Sequence, residues 1–337
     1  MSRYLFKEFA PRRILAISLA VVAHVLSGPL GWGASAPATK VAVNIPSKSL
    51  AIMPFYFGKE KGFFASEGID LQLVLMAPPT AIAALVAGEL DFSMTLGAGA
   101  SAIMQGHPLK RIIYLQQNSA FALVALPEIR SMLELKNKVI AVNSPNDATG
   151  MSAKEILKGN GIDPSAVAFL STQTMENSVL ALTSRKVQAT ILAPPFAEQA
   201  EAKGYTRLAE AGEYAPLSTI GLMASVKYLQ TKPATVLAMI RAVLRTLAYL
   251  QDPMNRNEVI QYISSYHKID RVIADRAFST ISAAYSKDGT KPRVALQREI
   301  DVYRENLKIT KSFGPEDFED MSYLRRARES FGNAPAR

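Results

Sequence analysis

Strand-like and helix-like segments alternate along most of this 337-residue chain. Residues 69–75 (IDLQLVL) place an apolar side chain at every second position, which is typical of a strand with one buried face. Residues 80–89 (TAIAALVAGE) have the pattern of a short helix, and residues 90–96 (LDFSMTL) return to a strand pattern. Because such a succession builds parallel strands covered by helices, it predicts an α/β fold with mainly parallel sheets.

A second block of the same kind begins near Phe121. Residues 83–95 (AALVAGELDFSMT) align with residues 180–192 (LALTSRKVQATIL) at an offset of 97, and in both segments a helix ends in a short turn that leads into a strand. Two lobes built on one plan would produce this repeat, and a chance similarity between two helix–strand turns is the alternative. After residue 231 the pattern is mostly helical.

The first 38 residues have the pattern of a secretion signal. Four basic residues precede a 13-residue apolar run at 14–26, which is shorter than the ~18–20 residues that a membrane-spanning helix needs. Ala36 and Ala38 fit the cleavage pattern, so we expect cleavage after Ala38 and a location in the periplasm. An uncleaved membrane anchor is the alternative. Without this segment the chain has 34 basic and 28 acidic residues, and this formal charge of +6 does not indicate nucleic-acid binding.

The chain contains no cysteine, which excludes disulfides, thiolate catalysis, cysteine-bound metals and a lipid-anchored N-terminus. Beyond the signal it has two histidines, His107 and His267, and neither has the spacing of a metal-binding pair. The sequence also lacks a nucleophile elbow and a glycine-rich phosphate loop. We therefore predict no catalytic residue, no metal and no cofactor, although a pair of catalytic carboxylates would leave no such pattern.

Residues 54–75 (PFYFGKEKGFFASEGIDLQLVL) gather five aromatic side chains around a lysine-containing turn. Pro54 suits the first turn of a helix, and Gly62 and Gly68 allow the chain to reverse through left-handed conformations. Each buried aromatic side chain would contribute ~1.5–3 kcal/mol to folding. A packed corner is therefore our prediction for this stretch, and a ligand cage is the alternative.

The same stretch resembles a signature of the solute-binding proteins of ABC importers. Residues 83–94 (AALVAGELDFSM), 106–112 (GHPLKRI) and 133–150 (LELKNKVIAVNSPNDATG) extend the resemblance, which runs from about residue 41 to 250. The group in question includes binders of aliphatic sulfonates, taurine, nitrate and thiamine pyrimidines. The resemblance implies a two-lobed periplasmic-binding-protein fold, type II-like. Lobe one would comprise residues 39–120 and 215–337, lobe two residues 121–214, with a hinge near 119–122 and 215–220.

The resemblance also implies a function. Proteins of this kind close two lobes around a small-molecule solute by hinge motion and deliver it to an ABC permease in the inner membrane. We therefore expect a monomer that performs no chemistry. A secreted enzyme or a sensor subunit that reuses the same fold is the alternative.

The loops that follow the predicted strands are the candidate ligand site, because ligands in α/β sheets bind beyond the carboxyl ends of the strands. Helix starts in these loops favour anions, and small residues allow close approach. In residues 144–150 (SPNDATG), Asp147 either caps the following helix or faces the cleft as a partner for an amine. No run of Arg or Lys meets these loops, which favours a small organic solute, anionic or zwitterionic and sulfonate-like, over bare nitrate. The predicted ligand-binding residues are Ser47, Ser49, Thr80, Gly97, Ala98, Ser101, Asn146, Asp147, Thr149 and Phe196.

Overall fold

The structure is a computed structural model that describes residues 38–332. The predicted signal peptide lies outside this range except for its last residue, Ala38. Ten strands are present within the described range: β1 Thr39–Ile45, β2 Ile69–Leu75, β3 Phe92–Thr95, β4 Leu109–Tyr114, β5 Ala122–Ala125, β6 Val139–Val142, β7 Ala168–Ser171, β8 Ala189–Leu192, β9 Thr206–Glu210 and β10 Ile220–Ser225.

These strands form two five-stranded sheets, in the orders β2-β1-β3-β10-β4 and β7-β6-β8-β5-β9. In each sheet four strands run in one direction and one runs against them: β10 pairs antiparallel with β3 and β4, and β5 pairs antiparallel with β8 and β9. The sheets are therefore mixed, and the predicted parallel pairs lie on one side of each sheet, in β2-β1-β3 and in β7-β6-β8. Each sheet has its own apolar core cluster, which confirms the two-lobed α/β architecture.

The two sheets repeat the same register at the predicted offset. Val43 pairs with Phe92 between β1 and β3, and Ile140 pairs with Ala189 between β6 and β8. In both pairs the residue numbers of the second lobe exceed those of the first by 97. The similarity between residues 83–95 and 180–192 thus marks equivalent elements, and the alternative of chance similarity is wrong.

In each sheet, the antiparallel strand follows along the chain from the last strand of the other sheet. The chain leaves the first sheet after β4 and enters the second as β5, and it leaves the second sheet after β9 and returns as β10. Two crossing segments, residues 115–121 and 211–219, therefore connect the lobes. The predicted hinge falls in these segments, and the lobe boundaries and the hinge remain predictions.

Helices cover both sheets: α1 Met53–Glu60, α2 Pro78–Ala87, α3 Leu96–Met104, α4 Ala148–Gly159, α5 Met175–Thr183, α6 Phe196–Ala202 and α7 Val226–Thr231. The sequence marks the ends of α2 clearly. Pro78 occupies its first turn, where a missing N–H group removes no hydrogen bond, and Gly88 ends it in a left-handed conformation at φ +82°.

The C-terminal part is helical, as predicted: α8 Pro233–Gln251, α9 Arg256–His267, α10 Arg271–Ala284, α11 Arg293–Asn306, α12 Pro315–Phe318 and α13 Ser322–Gly332. By length and composition α8 would also suit a membrane span. Its apolar face, however, belongs to the core of the first lobe together with α1, through residues such as Met239, Ile240 and Val243. We interpret α8 as a core helix of that lobe.

The aromatic stretch forms a packed corner. Phe55, Phe57 and Phe64 are buried, and the rings of Phe55 and Phe64 stack with centroids 5.7 Å apart. A Cβ added at Gly58 would lie 2.3 Å from the hydroxyl oxygen of Thr246 on α8, so a glycine lets α1 lie close to α8. The core interpretation is confirmed for these rings.

Candidate functional site

The N-terminal ends of α3 and α4 face each other across the crevice between the lobes. α3 begins directly after β3 of the first sheet, and α4 follows β6 of the second sheet after a short loop, so both helices start at the carboxyl ends of these strands. A Cβ added at Gly97 would lie 2.5 Å from the backbone nitrogen of Ala148, and the hydroxyl of Ser101 donates a hydrogen bond to the carbonyl of Asn146 at 2.9 Å. The two lobes therefore touch at the predicted site.

The start of α4 is organised by Asp147, which is its N-cap residue. One oxygen, Oδ1, accepts hydrogen bonds from the backbone N–H of Thr149 at 2.8 Å, from that of Gly150 at 3.1 Å and from the hydroxyl of Thr149 at 2.6 Å. The Thr149 hydroxyl in turn accepts a bond from the backbone N–H of Asn143. The capping alternative left open by the sequence is thus observed, and it occupies donors that an anionic ligand would need.

The second oxygen of Asp147, Oδ2, takes no part in these three hydrogen bonds. The side chain is only 4% exposed. Burial raises the pKa of this carboxyl to about 6 even though the hydrogen bonds to Oδ1 act in the opposite direction. Asp147 is therefore a buried acid with one occupied and one available oxygen.

A small cavity of about 30 Å³ lies at the centre of the crevice. This volume accommodates about one water molecule or a group of similar size. Its walls include Thr95 at the end of β3, Asn143 after β6, and Phe121 and Thr219 from the crossing segments. Both lobes and both crossings thus contribute to it.

A larger cavity of about 560 Å³ adjoins the small one, since Ala98 and Asp147 line both. One wall is apolar and comes from α2 and α3, with Ile82, Val86 and Ala102 among its residues. Its polar residues are Ser101, Gln105, His107, Ser144, Asn146 and Asp147. The volume is in the range of about 300–1,000 Å³ that is usual for small-molecule sites.

Six of the ten predicted ligand-binding residues line one or both cavities: Gly97, Ala98, Ser101, Asn146, Asp147 and Thr149. The other four lie elsewhere. Ser47 is buried, and its hydroxyl accepts from the backbone N–H of Ser49 at 3.3 Å, which is the local turn bonding expected of loop serines. Thr80 is exposed, and Phe196 packs against the core of the second lobe.

A family model described as NMT1/THI5 like matches residues 49–255. The chain belongs to this family. Among curated proteins no sequence matches this NMT1/THI5-like chain.

Solved structures share the fold of this NMT1/THI5-like chain at low sequence identity. A protein from Bordetella bronchiseptica RB50 superposes with a TM-score of 0.73 and 20% identity, covering 87% of this chain and 98% of its own. The alkanesulfonate-binding protein SsuA from Xanthomonas axonopodis pv. citri, bound to MOPS, gives 0.69 and 16%, covering 82% and 96%. The periplasmic nitrate-binding protein NrtA from Synechocystis PCC 6803 gives 0.67 and 14%, covering 87% and 89%. These similarities establish the two-lobed periplasmic-binding-protein fold.

Sequence reasoning missed several polar residues at the crevice of this NMT1/THI5-like chain. Asn44 on β1 accepts a hydrogen bond from the hydroxyl of Ser93 at 2.6 Å, and that hydroxyl lies 2.8 Å from the hydroxyl of Thr95. The equivalent positions in the second lobe include Ala141 and Leu192, so this polar network belongs to one lobe only. A signal was available, because a polar residue inside an otherwise apolar strand is unusual unless it has a partner.

His107 also lines the larger cavity, whereas the sequence indicated only a residue in a turn. His267, by contrast, lies near the aromatic corner, where its Nε2 is 3.2 Å from the hydroxyl of Tyr56. Burial lowers the pKa of His267 to about 4, so this imidazole is neutral at physiological pH. Within residues 38–332 no group of His, Asp and Glu side chains is arranged to hold a metal ion.

Proposed function

We propose that this chain is the extracytoplasmic solute-binding component of an ABC importer, which captures a small organic solute between its two lobes. The observation that carries the proposal is the pair of segments at 97–101 in the first turns of α3 and at 146–149 around the start of α4, which face each other from different lobes around adjoining cavities. Two of the similar structures are binding proteins for an alkanesulfonate and for nitrate. Export by the signal at residues 1–38, a monomeric state and delivery to an inner-membrane permease belong to the same proposal.

We further propose that binding involves no chemical conversion. Around both cavities, the described lining residues include a single carboxylate, Asp147, and a single histidine, His107. The hydroxyl of Thr149 already donates to the carboxylate, and that of Ser101 donates to a backbone carbonyl. The Asp147 oxygen that faces the Thr149 hydroxyl is engaged as a helix cap, because it also accepts from two backbone N–H groups, and the Ser101 hydroxyl has no base as its partner. These contacts support a site that holds a ligand.

The test is the detection of a bound solute. The full chain is purified without denaturation, then unfolded, and the released small molecules are identified by mass spectrometry. In parallel, a panel of sulfonates, carboxylates, amines and pyrimidines is tested for stabilisation against heat. A ligand at 100 times its Kd should add about 2.7 kcal/mol to the free energy of unfolding. A folded protein that releases no solute and is stabilised by none would contradict the proposal.

A matched pair of variants locates the site. Ala83 is an exposed helical alanine on the wall of the larger cavity, and Ala234 is an exposed helical alanine in the first turn of α8. Ala83→Trp should weaken ligand stabilisation because the indole occupies part of the cavity, whereas Ala234→Trp should leave it unchanged. Equal stabilisation of both variants would place the ligand elsewhere.

A further inference from the structure

The chemistry of the two adjoining cavities points to the charge of the solute, an inference that rests on the function proposed above. We propose that the site binds a protonated amine, whose nitrogen is held by the free oxygen of Asp147 and whose apolar body lies along α2 and α3 in the larger cavity.

The first step concerns charge. Among the described residues that line either cavity there is no lysine and no arginine, and Asp147 is the one charged side chain. The nearby Lys154 on α4 donates instead to the carbonyl of Pro145 at 2.8 Å. An anionic solute would therefore meet a carboxylate and no cation in the cavity lining, whereas an ammonium group would bring the opposite charge to this carboxylate.

The second step concerns the available acceptor. Asp147 is more than nine-tenths buried, and its Oδ2 takes no part in the hydrogen bonds that cap α4. An N–H donor from the ligand could therefore bind Oδ2 without breaking the cap. The Asn143 amide, which lines the small cavity, has a side-chain oxygen that is buried without a partner. A group with several N–H donors satisfies more of these atoms than a group with acceptors only.

The third step concerns size and polarity. The central cavity of about 30 Å³ suits a single ammonium group, and the adjoining cavity of about 560 Å³ has room for a body of several carbon atoms. The wall formed by Ile82, Ala83 and Val86 is apolar. Each methylene group buried there would add about 0.8 kcal/mol to binding. An amine with an aliphatic or aromatic body therefore suits both cavities, with its ammonium group in the small one and its body in the larger one.

The experiment compares probes that share one carbon chain and differ in the end group. Binding of hexylamine, 1-hexanol and hexane-1-sulfonate to the purified full chain is measured by isothermal titration calorimetry at pH 7.5. We expect hexylamine to bind at least about tenfold more tightly than the alcohol, and the sulfonate to bind most weakly, since hydrogen bonds to charged groups are worth about 1.5–3 kcal/mol. Preference for the sulfonate or the alcohol overturns the proposal.

A variant pair tests the role of Asp147 itself. Asp147→Asn keeps an N-cap side chain for α4 and removes the charge. Asp163→Asn makes the same change at an exposed capping residue that accepts from the backbone N–H of Ser165 and lies outside both cavities. We expect the first change to weaken hexylamine binding at least about tenfold and the second to leave it unchanged. Equal affinities for hexylamine in the two variants overturn the proposal.

The copurified solute separates this inference from the proposed function. A released solute with a basic nitrogen supports both. A released solute without one overturns the amine assignment and leaves solute binding intact. If no solute is released and no probe binds, both fail.

Discussion

Each carboxylate oxygen of Asp147 has a different environment, and this difference connects folding with binding. Oδ1 accepts three hydrogen bonds that start α4, so the side chain is fixed in place. Oδ2 is left for a ligand. Because the first set of bonds is local to residues 147–150, the acid keeps its position whether or not a solute is present. A preorganised polar group of this kind reduces the cost of binding.

A first prediction at this scale concerns pH. The pKa of Asp147 is raised from 3.8 to about 6 by burial, so between these pH values the folded state holds more protons than the unfolded state. The free energy of unfolding of the ligand-free protein should therefore fall as pH rises from about 4 to 6, by about 3 kcal/mol from this residue alone. Asp147→Asn should remove this fall and be more stable than the wild type at pH 7.5. Urea denaturation of both proteins at pH 4 and pH 7.5 measures the difference.

The control for this prediction is Asp163→Asn. Hydrogen bonds with Ser165 lower the pKa of Asp163, so its contribution has the opposite sign: it is present at neutral pH and is lost as the pH falls. Lys154 and Tyr303 also lie near Asp147, and because its charge acts to raise the pKa of both groups, Asp147→Asn changes their titration as well. Parallel pH profiles of the wild type and Asp147→Asn would show that the carboxyl is not perturbed.

A second prediction at the residue scale concerns Gly97. A methyl group there would lie 2.5 Å from the backbone nitrogen of Ala148 and 2.6 Å from the hydroxyl of Tyr303, and backbone cannot move aside without separating the lobes. Gly97→Ala should therefore hold the crevice open. We expect a larger radius of gyration by small-angle X-ray scattering in the presence of ligand, and weaker ligand binding. The overlap with Tyr303, which packs in the same core cluster as α3, should also lower the free energy of unfolding. A wild-type radius and affinity would contradict this.

At the scale of elements, the sequence predicted what is local and missed what depends on long-range packing. The helix–strand units α2–β3 and α5–β8 were recognisable because periodicity and turn residues belong to a short segment. The antiparallel placement of β5 and β10 was not recognisable, because it depends on pairing with strands that are distant in the sequence. A mainly parallel sheet was the natural expectation from the alternation alone.

In the candidate site, too, the sequence predicted local features and missed those that depend on long-range packing. Residues at the starts of α3 and α4 line the cavities because strand ends position them. Thr80 lies outside the cavities because the rotation of α2 turns Pro79 and Ile82, but not Thr80, towards them. Phe196 lies outside them because its ring joins the core of the second lobe. The position of a loop after a strand predicts neither the rotation of α2 nor the packing of the Phe196 ring.

A buried charge cluster links α11 to the chain crossings, and it supplies a prediction at the element scale. Glu299 lies 2.8 Å from a guanidinium nitrogen of Arg111 and 2.7 Å from the Lys291 ammonium, and accepts from the backbone N–H of Ser218 at 3.0 Å. The Lys291 ammonium also donates to the carbonyl of Gln117, so residues of both crossings are contacted. All three charged side chains are buried, and burial without compensation is costly.

Glu299→Gln should destabilise the protein by about 3–5 kcal/mol, because Arg111 and Lys291 would remain buried without an anion. The matched control is Glu316→Gln, whose ion pair with Arg293 is mostly exposed and should contribute about 0–1 kcal/mol. Chemical denaturation of the two variants measures the difference. Similar values for both would mean that the cluster contributes no more than a surface pair.

At the scale of the whole molecule, the lobes also meet outside the cavities. Arg276 on α10 of the first lobe lies 2.8 Å from Glu201 on α6 of the second, and the backbone N–H of Lys48 donates to Glu176 at 3.0 Å. Together with the contact between Gly97 and Ala148, these bonds describe a closed crevice. Contacts of this kind exist only when the lobes are together, so they shift the equilibrium between open and closed forms without stabilising either lobe.

Arg276→Ala should therefore favour the open form. The pair is partly exposed, so the expected loss is about 0.2–1 kcal/mol, which corresponds to at most about fivefold weaker ligand binding. Arg256→Ala is the control, because its partner Asp275 lies within the same lobe and the pair is similarly exposed. Fluorescence energy transfer between dyes on the two lobes measures the closed fraction, and calorimetry measures affinity. If the two variants lower the closed fraction equally, the contact between Arg276 and Glu201 does not act on closure.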